Sequence, residues 1–261
     1  MLTRLDHLVI LVRDLDGAVR DYERLGFAVT PGGEHADGLT RNALIPFEDG
    51  SYLELVAFVD PEDIRDNVWG WRRFLSSGGL IDYCATSDDL REEVRGLEER
   101  DLDMDGPTDG GRRLPDGREI RWRIARIRQE GRLLPFLIED LTPRELRVPG
   151  GPSAEHPNGA VGIALLEVAT PDAEGDARAF ASLTGAPSLR LGPCALSLLT
   201  PEQEDEARGR LDASGPGPLA VGLATDVPGR AEELDRRLSH GVRIRLLGRP
   251  PGAKVVPTGA R

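Results

Sequence analysis

The chain has 261 residues, a length that fits one large domain or two of ordinary size. Apolar residues make up 39% and charged residues 30%, which excludes a disordered chain and fits a soluble globular protein. The formal net charge of −12 argues against a nucleic-acid partner, because phosphate backbones are bound by basic clusters. No apolar run reaches the roughly 18 residues of a membrane span, and the N-terminus lacks the pattern of a signal peptide. We therefore expect a cytoplasmic protein with no membrane partner and no nucleic-acid partner.

The opening residues 1–59 predict the order strand, helix, strand, strand, strand. Residues 5–12 alternate as a strand does, Asp14 or Asp16 can cap the helix that follows, and Gly26 ends it. Turn-prone stretches separate three further strand-like runs, at 27–31, 41–47 and 52–59.

The same order returns in residues 79–142, which indicates an internal repeat. A strand and a capped helix come first, then a Gly/Pro-rich loop at 103–118, and then strands at 119–128 and 133–141. An offset of 75 residues superimposes the two helices, with Leu15 on Leu90 and Tyr22 on Leu97. The connector 60–78 is expected to contain a short helix.

The rest of the chain repeats the same unit less clearly. Residues 159–172 predict a strand that leads into a capped helix ending at Gly185, followed by short strands. Residues 218–247 predict strand, cap, helix and strand. The Pro/Gly-rich stretch 147–160, which contains His156, is interpreted as a linker.

The sequence of the first unit resembles a known family. LDHLVILVRDLDGAVRDYERLGF, followed by RNALIPFEDGSYLELVAF, is similar to the opening module of the vicinal oxygen chelate superfamily, in the branch of glyoxalase-like domain proteins. The resemblance implies an α+β fold in which repeated βαβββ modules pair into an open barrel around a divalent metal. Activities known in the superfamily include glyoxalase, isomerase or epimerase, extradiol dioxygenase and thiol transferase chemistry, and some members only bind small molecules.

This resemblance also predicts the domain organisation. The first domain, residues 1–145, would pair the modules 1–59 and 79–142 into a barrel within one chain. The second, residues 159–261, would hold two degenerate modules without metal ligands, serving packing, a lid or contact in a homodimer.

The resemblance places metal ligands on the first and last strands of each module, here at His7, Glu54, Asp82 and Glu139. The offset of 75 takes His7 to Asp82, and LPFLIED around Glu139 repeats YLELV around Glu54. One imidazole and three carboxylates suit Mn²⁺, Fe²⁺, Zn²⁺ or Mg²⁺. Asp82 departs from the family pattern, which more often has His there, so a set of three ligands stays open. Glu54 or Glu139 could also serve as a general base.

Two simpler interpretations remain open for these residues. A single histidine on a strand is usually part of the core, and a glutamate in mid-strand often points to solvent. A barrel that has lost its metal would give much the same pattern. A metal-free binding or resistance protein for a small molecule is therefore the alternative to a metal-dependent lyase, isomerase or dioxygenase acting on a small oxygenated substrate.

Three residues are candidates for substrate binding. In EIRWRIARIR, Arg121 and Arg123 alternate with apolar residues, and they would point into the barrel if the apolar face lies under a helix. There they could hold a carboxylate or phosphate; the alternative is that both lie in solvent. Asn42 is predicted to face the cavity, or else to be a surface amide. His35, in GGEHADG, is expected to be a loop residue, with a role near the cavity mouth as the alternative.

Overall fold

The computed structural model describes residues 2–113 and 117–248. Residues 249–261, the end of the second predicted domain, lie outside the described part. The first half contains β1 (Leu2–Leu11), α1 (Leu15–Arg24), β2 (Thr30–Glu34), β3 (Thr40–Pro46), β4 (Tyr52–Phe58), a 3₁₀ turn (Arg72–Phe74), β5 (Gly79–Ser87), α2 (Leu90–Glu98), β6 (Met104–Arg113), β7 (Glu119–Ile127), β8 (Phe136–Asp140) and α3 (Arg144–Arg147).

The second half starts after a 3₁₀ turn at Gly151–Ala154. Its elements are β9 (Ala160–Ala169), α4 (Ala173–Thr184), β10 (Arg190–Leu191), β11 (Cys194–Leu199), α5 (Asp205–Ser214), β12 (Gly217–Thr225), β13 (Ala231–Glu233) and β14 (Arg243–Gly248). Among the helices of the described residues, none combines the length and the apolar character that crossing a membrane requires.

Both modules of the first half contribute to one eight-stranded sheet, in the order β2-β3-β4-β1-β5-β8-β7-β6. β1 and β5 run antiparallel at its centre, and each pairs in parallel with the last strand of its own module, β4 or β8. Leu8 lies opposite Tyr83, His7 opposite Cys84, and Val9 opposite Asp82. An approximate two-fold axis between the central strands therefore relates His7 to Asp82, as the offset of 75 predicts.

The two faces of this sheet carry different apolar clusters, since successive strand residues point to opposite sides. Leu8, Ile10, Tyr83 and others pack on the face covered by helices. Val9, Val56, Trp122, Phe136 and others pack on the concave face. Asp14 caps the start of α1 by accepting a hydrogen bond from the Asp16 N–H. The helix packs on the first face through a buried stripe that includes Leu15 and Tyr22.

The structure corrects one prediction for the second module. Residues 103–118 were expected to form a loop, but Met104–Arg113 is the strand β6, which pairs antiparallel with β7. Its Gly and Pro residues hide the strand pattern, and the hydrogen-bond ladder of β7 holds it extended instead. Pro107 is tolerated because β6 lies at the edge of the sheet.

A second correction concerns the C-terminal half, where a six-stranded sheet has the order β10-β11-β9-β12-β14-β13. The helix expected between the strands of 218–247 is absent, and that stretch holds β13 and turns. Residues 231–233 pair with β14 instead, so the hydrogen bonds of the sheet take the place of those of the expected helix. The helix α5 comes earlier, and its sequence signal is weak because Ala207 is its one buried residue.

The two halves share one apolar core. The cluster on the helix-covered face of the first sheet continues into Ile163, Leu166, Val221 and Ile244 of the second sheet. The halves thus have separate sheets and a common core.

Candidate functional site

The concave face of the eight-stranded sheet lines a narrow cavity of about 30 Å³. Its polar lining comes mainly from His7, His35, Asn42, Glu54 and Arg112. The rest of the lining is largely apolar, with indole, phenyl and aliphatic side chains from β7, β8 and the connector between the modules. A small cavity that combines an apolar wall with a few converging polar groups has the character of a ligand site.

His7 is held in one orientation by Asp6. A register shift between β1 and β5 separates Leu5 from His7 and accompanies the burial of both Asp6 and His7. His7 Nδ1 lies 2.7 Å from Asp6 Oδ1, and because a carboxylate only accepts, the Nδ1 atom carries the proton. The other ring nitrogen, Nε2, then faces Glu54 Oε2 at 3.4 Å.

Asp6 is itself fixed by two arginines of α3. Arg144 Nη1 donates to its Oδ2 at 2.5 Å, and Arg147 Nη1 donates to its Oδ1 at 3.1 Å. Burial alone would raise the pKa of Asp6, but Arg147, the hydrogen bond with His7, and Arg144 hold that pKa well below its usual range. Arg147 also donates to Asp140 at 2.6 Å and to the Tyr52 hydroxyl at 2.8 Å.

Glu54 lies between two imidazoles. Its Oε1 accepts a hydrogen bond of 2.5 Å from the Asn42 amide and lies 3.6 Å from His35 Nε2. Burial would raise the pKa of Glu54, yet the hydrogen bonds with His35 and His7 keep it well below its ordinary value. His35 is buried, and its Nδ1 lies 2.7 Å from the Thr40 hydroxyl.

The donor set made by His7, Glu54 and His35 suits a divalent metal. Burial would lower the pKa of His7, but its hydrogen bonds with Asp6 and Glu54 raise it, so in the metal-free chain a proton lies between Nε2 and Glu54 Oε2. A divalent cation could replace that proton, because a neutral His7 with its proton on Nδ1 turns the lone pair of Nε2 toward the carboxylate. Two acceptors face each other stably only across a shared proton or cation. Two imidazole nitrogens and a carboxylate form a combination that Fe²⁺, Mn²⁺ and Zn²⁺ accept. The contact between Asp6 and His7 Nδ1 matches the outer hydrogen bond that metal-binding histidines usually make.

A second group of potential ligands, Asp6, His7 and Cys84, has its ligand atoms within 4.8 Å of one another. Both oxygens of Asp6 already accept from Arg144 and Arg147. Burial raises the pKa of the Cys84 thiol well above its ordinary value, so the sulfur is held in its neutral form. Both features weaken this group as a metal site, although among the described residues it is the group, and not His7, Glu54 and His35, whose ligand atoms all lie within 4.8 Å of one another.

Arg112 closes the cavity from the opposite edge of the sheet. It lies on β6, whereas Asn42 lies on β3 near the other edge, and Arg112 Nη1 donates to Asn42 Oδ1 at 3.4 Å. This contact exists only because the sheet curls. The single Asn42 side chain thus bridges Arg112 and Glu54.

The sequence profile of the glyoxalase-like domain family matches residues 5–184, which is more than half of the chain. The chain belongs to the glyoxalase-like domain family. It is thereby a member of the vicinal oxygen chelate superfamily, as the motifs of the first module predict. A comparison with curated protein sequences finds no significant match.

Two solved structures share this fold, and a third is similar over part of the chain. A hypothetical protein from Staphylococcus aureus is 14% identical, with a TM-score of 0.73 over 95% of this chain and 100% of that one. A mutant of 4-hydroxymandelate synthase from Streptomyces coelicolor is 12% identical, with a TM-score of 0.61 over 98% of this chain and 95% of that one. Methylmalonyl-CoA epimerase from Mycobacterium tuberculosis is 22% identical, with a TM-score of 0.40 over 56% of this chain and 92% of that one. The first two likenesses confirm the predicted fold class.

In this glyoxalase-like protein, Asp82 has the position expected from the repeat but a different environment. Its Oδ2 accepts a hydrogen bond of 2.9 Å from the Trp71 indole and lies 3.0 Å from Arg132 Nε. The Trp71 side chain lines the cavity, whereas Asp82 is not part of the lining. The structure therefore does not bring this carboxylate to His7 and Glu54.

Glu139 lies outside the cavity. On β4, Glu54 pairs with Val9, and the residue that pairs with the equivalent Cys84 on β8 is Phe136. The alignment of LPFLIED with YLELV is thus three residues out of register. Glu139 accepts from Arg123 at 2.9 Å and from the backbone N–H of Leu90, the first residue of α2, at 3.3 Å.

The two faces of β7 point in the directions opposite to those predicted. Trp122 and Ile124 line the cavity, while Arg121 is exposed and Arg123 pairs with Asp109 and Glu139 on the other face. The inner wall of the half-barrel is as apolar as the face under the helices, so alternation alone does not distinguish them. The arginine of the cavity wall is instead Arg112. Asn42 lines the cavity.

No cavity role was predicted from the sequence for Asp6, Arg112 or Arg147, and His35 was expected in a loop, with a role near the cavity mouth only as the alternative. Each depends on contacts between segments far apart in the chain or on the curl of the sheet. The one local signal was that Asp6 and His7 are adjacent in a strand that is otherwise apolar.

Proposed function

We propose that this protein is a metal-dependent enzyme of the lyase, isomerase or dioxygenase type that acts on a small oxygenated molecule in the barrel cavity. The observation that carries the proposal is the pairing of His7 Nε2 with Glu54 at 3.4 Å, in a cavity where Asp6 fixes the other nitrogen of the ring. The fold shared with 4-hydroxymandelate synthase supports the class of chemistry but not the substrate.

The residues that would hold the metal are His7, Glu54 and His35. This set replaces the expected set of four, since the carboxylates of Asp82 and Glu139 are bonded elsewhere. Two nitrogen ligands favour Fe²⁺, Mn²⁺ or Zn²⁺ over Mg²⁺, which prefers an all-oxygen shell. When bound, such an ion would act as a Lewis acid that stabilises negative charge on a substrate oxygen.

The other residues of the site supply position and environment. Asp6 holds the tautomer of His7, and Asn42 donates to Glu54 Oε1 and so orients the carboxylate. The apolar wall, with stacked Trp69 and Trp71 whose ring centroids lie 4.6 Å apart, excludes water. Electrostatic interactions with a reacting group are stronger in such surroundings.

The metal content of the purified protein tests the proposal. We expect about one equivalent of Fe²⁺, Mn²⁺ or Zn²⁺ in the wild type after purification without chelators, because three converging ligands form one site. A double variant with His7→Ala and Glu54→Ala should lose this metal, whereas Glu139→Gln, on the opposite face of the sheet, should keep it. Less than about a tenth of an equivalent in the wild type, with no rise in Tm on adding any of the three ions, would contradict the proposal.

A second candidate function is binding of a small molecule without metal. The observation that favours it is Phe136, an apolar side chain at the position in the second module that matches Glu54. A thermal-shift screen of metal-free and metal-loaded protein distinguishes the two functions. Ligands that raise the Tm of both forms equally favour binding alone, and ligands that act only on the loaded form favour the enzyme.

A further inference from the structure

Arg112 is a buried cation that lines the cavity, and it has no carboxylate partner within residues 2–113 and 117–248. The residue is only 9% exposed. Nη1 donates to Asn42 Oδ1 at 3.4 Å, and Nη2 donates to the Arg147 carbonyl at 3.1 Å. Nε is buried and has no hydrogen-bond partner among the described residues. Neither acceptor of this guanidinium carries a charge.

The other arginines near the cavity differ from Arg112. Arg144 and Arg147 both pair with the carboxylates of Asp6 and Asp140. Their charges are compensated within the protein. Burying a guanidinium costs several kcal/mol unless an anion compensates it, so an anionic ligand gains from meeting Arg112. Burial lowers the pKa of Arg112, which agrees with this view of its surroundings.

A second unpaired donor belongs to another residue that lines the cavity. The indole Nε1 of Trp69 is buried and finds no acceptor in the part of the chain that the structure describes. The remaining wall includes Leu44, Ile124 and Phe136. The two unpaired N–H donors suit a ligand whose anionic group offers several hydrogen-bond acceptors. The apolar wall suits a ligand whose remaining part is small and apolar.

We infer that Arg112 binds the carboxylate of a small organic acid. A guanidinium fork matches a carboxylate in shape, and a single arginine suits a single negative charge better than a phosphate dianion. This inference deepens the proposed function and rests on it for the second end of the ligand. The Asn42 side chain bridges Arg112 and Glu54, so a carboxylate on Arg112 lies near the proposed metal. An oxygen on the carbon next to that carboxylate could then bind the metal, and we expect the acid to carry one there.

The two arginines that the sequence predicted to bind a carboxylate or phosphate lie one strand away. Arg121 and Arg123 of β7 face outward, and the carboxylate-binding role passes to Arg112 of the neighbouring strand β6. Arg121 thus offers a matched control, since it has the same charge and an exposed position.

Calorimetric titration with 3-phenyllactate and lactate, and with their neutral primary amides, tests the inference. We expect the wild type to bind an acid at least about tenfold more tightly than its amide, as one charge-assisted hydrogen bond allows. Arg112→Gln should lose this preference, Arg112→Lys should keep part of it, and Arg121→Gln should behave as the wild type. Thermal unfolding of each variant checks that it is folded.

Three outcomes would overturn the inference: equal binding of acid and amide by the wild type, no binding of any of these probes, or an unchanged preference in folded Arg112→Gln. Tighter binding of inorganic phosphate than of either acid would also overturn the choice of a carboxylate. Metal content is measured in the same samples and is expected to be unaffected by Arg112→Gln. A wild type without metal that still shows the Arg112-dependent preference contradicts the proposed enzyme and leaves Arg112 assigned.

Discussion

Asp6 is fully buried and accepts hydrogen bonds from His7, Arg144 and Arg147. The imidazole, and with it the direction of Nε2, therefore depends on a carboxylate that two cations keep ionised. Such a group outside the ligand set usually affects metal affinity through the ligand that it orients.

We expect Asp6→Asn to lower both stability and metal binding. Removing this anion leaves the buried Arg147 and the half-buried Arg144 with Asp140 as their remaining carboxylate, which should reduce the free energy of unfolding by about 3–5 kcal/mol. Metal affinity should fall by about 10–100-fold because His7 loses its orienting partner. Urea unfolding and metal titration measure the two effects.

Glu174→Gln provides the comparison for this prediction. Glu174 forms an exposed ion pair with Arg178 on α4, and its loss should cost less than about 1 kcal/mol. If Asp6→Asn is no more destabilising than Glu174→Gln, the buried cluster does not have the role assigned to it.

At the scale of elements, the linker between the halves is attached to the first module by His156. Its Nδ1 accepts a hydrogen bond of 2.9 Å from the backbone N–H of Ala28, and its Nε2 lies 2.8 Å from the Pro46 carbonyl. This pair of contacts requires the neutral ring, protonated on Nε2 only. His156, which the sequence places in the linker, thus holds the linker to the first module, and we call this pair of contacts the His156 clamp.

The clamp predicts a dependence of stability on pH. Burial lowers the pKa of His156 from its ordinary value of 6.5, so the folded chain prefers the neutral ring. Its contribution is complete above the unfolded pKa and decreases as the pH falls through that value. Between about pH 7.5 and about pH 5 the wild type should lose about 1 kcal/mol more than His156→Gln, which cannot titrate there. Equal losses in urea unfolding of the two proteins would argue against the clamp.

The strands show what the alternation of apolar and polar residues can predict and what it cannot. In β7 the pattern predicts which residues share a face, and the structure keeps Trp122 and Ile124 together. Which of two apolar faces looks into the barrel depends on how the whole sheet curls. The β6 strand was missed for a related reason, since its neighbour stabilises it more than its own sequence does.

At the scale of the whole molecule, the shared core bears on the predicted division into residues 1–145 and 159–261. Side chains of the second sheet, Leu166 and Val221 among them, complete the cluster that also contains Leu8 and Tyr83. Removing the second half would expose apolar surface on the first. A fragment 1–158 keeps every residue proposed for the metal and ligand sites.

We expect the 1–158 fragment to be far less stable than the full chain, because each large side chain left exposed loses about 1.5–3 kcal/mol of burial. Its thermal unfolding should be broad or shifted well below that of the full chain, with binding of a dye that reports exposed apolar surface. A fragment that unfolds cooperatively at the Tm of the full chain would show that the first barrel folds independently of the second half.

The sequence alone determined the order of elements in the first module and the offset that relates His7 to Asp82, and the family resemblance pointed to the pair His7 and Glu54. These features are local or periodic, since caps, turns and alternating patterns are properties of short segments. The motif of the first module was sufficient to predict the family.

Only the tertiary structure decided what surrounds that pair. The register of β8 puts Phe136 rather than Glu139 opposite Cys84, and a shift by an odd number of residues reverses the face of a side chain. The curl of the sheet brings Arg112 from one edge to Asn42 near the other, and loop closure brings His35 to Glu54. Such contacts join residues remote in the chain, so their geometry follows from packing and not from any local pattern.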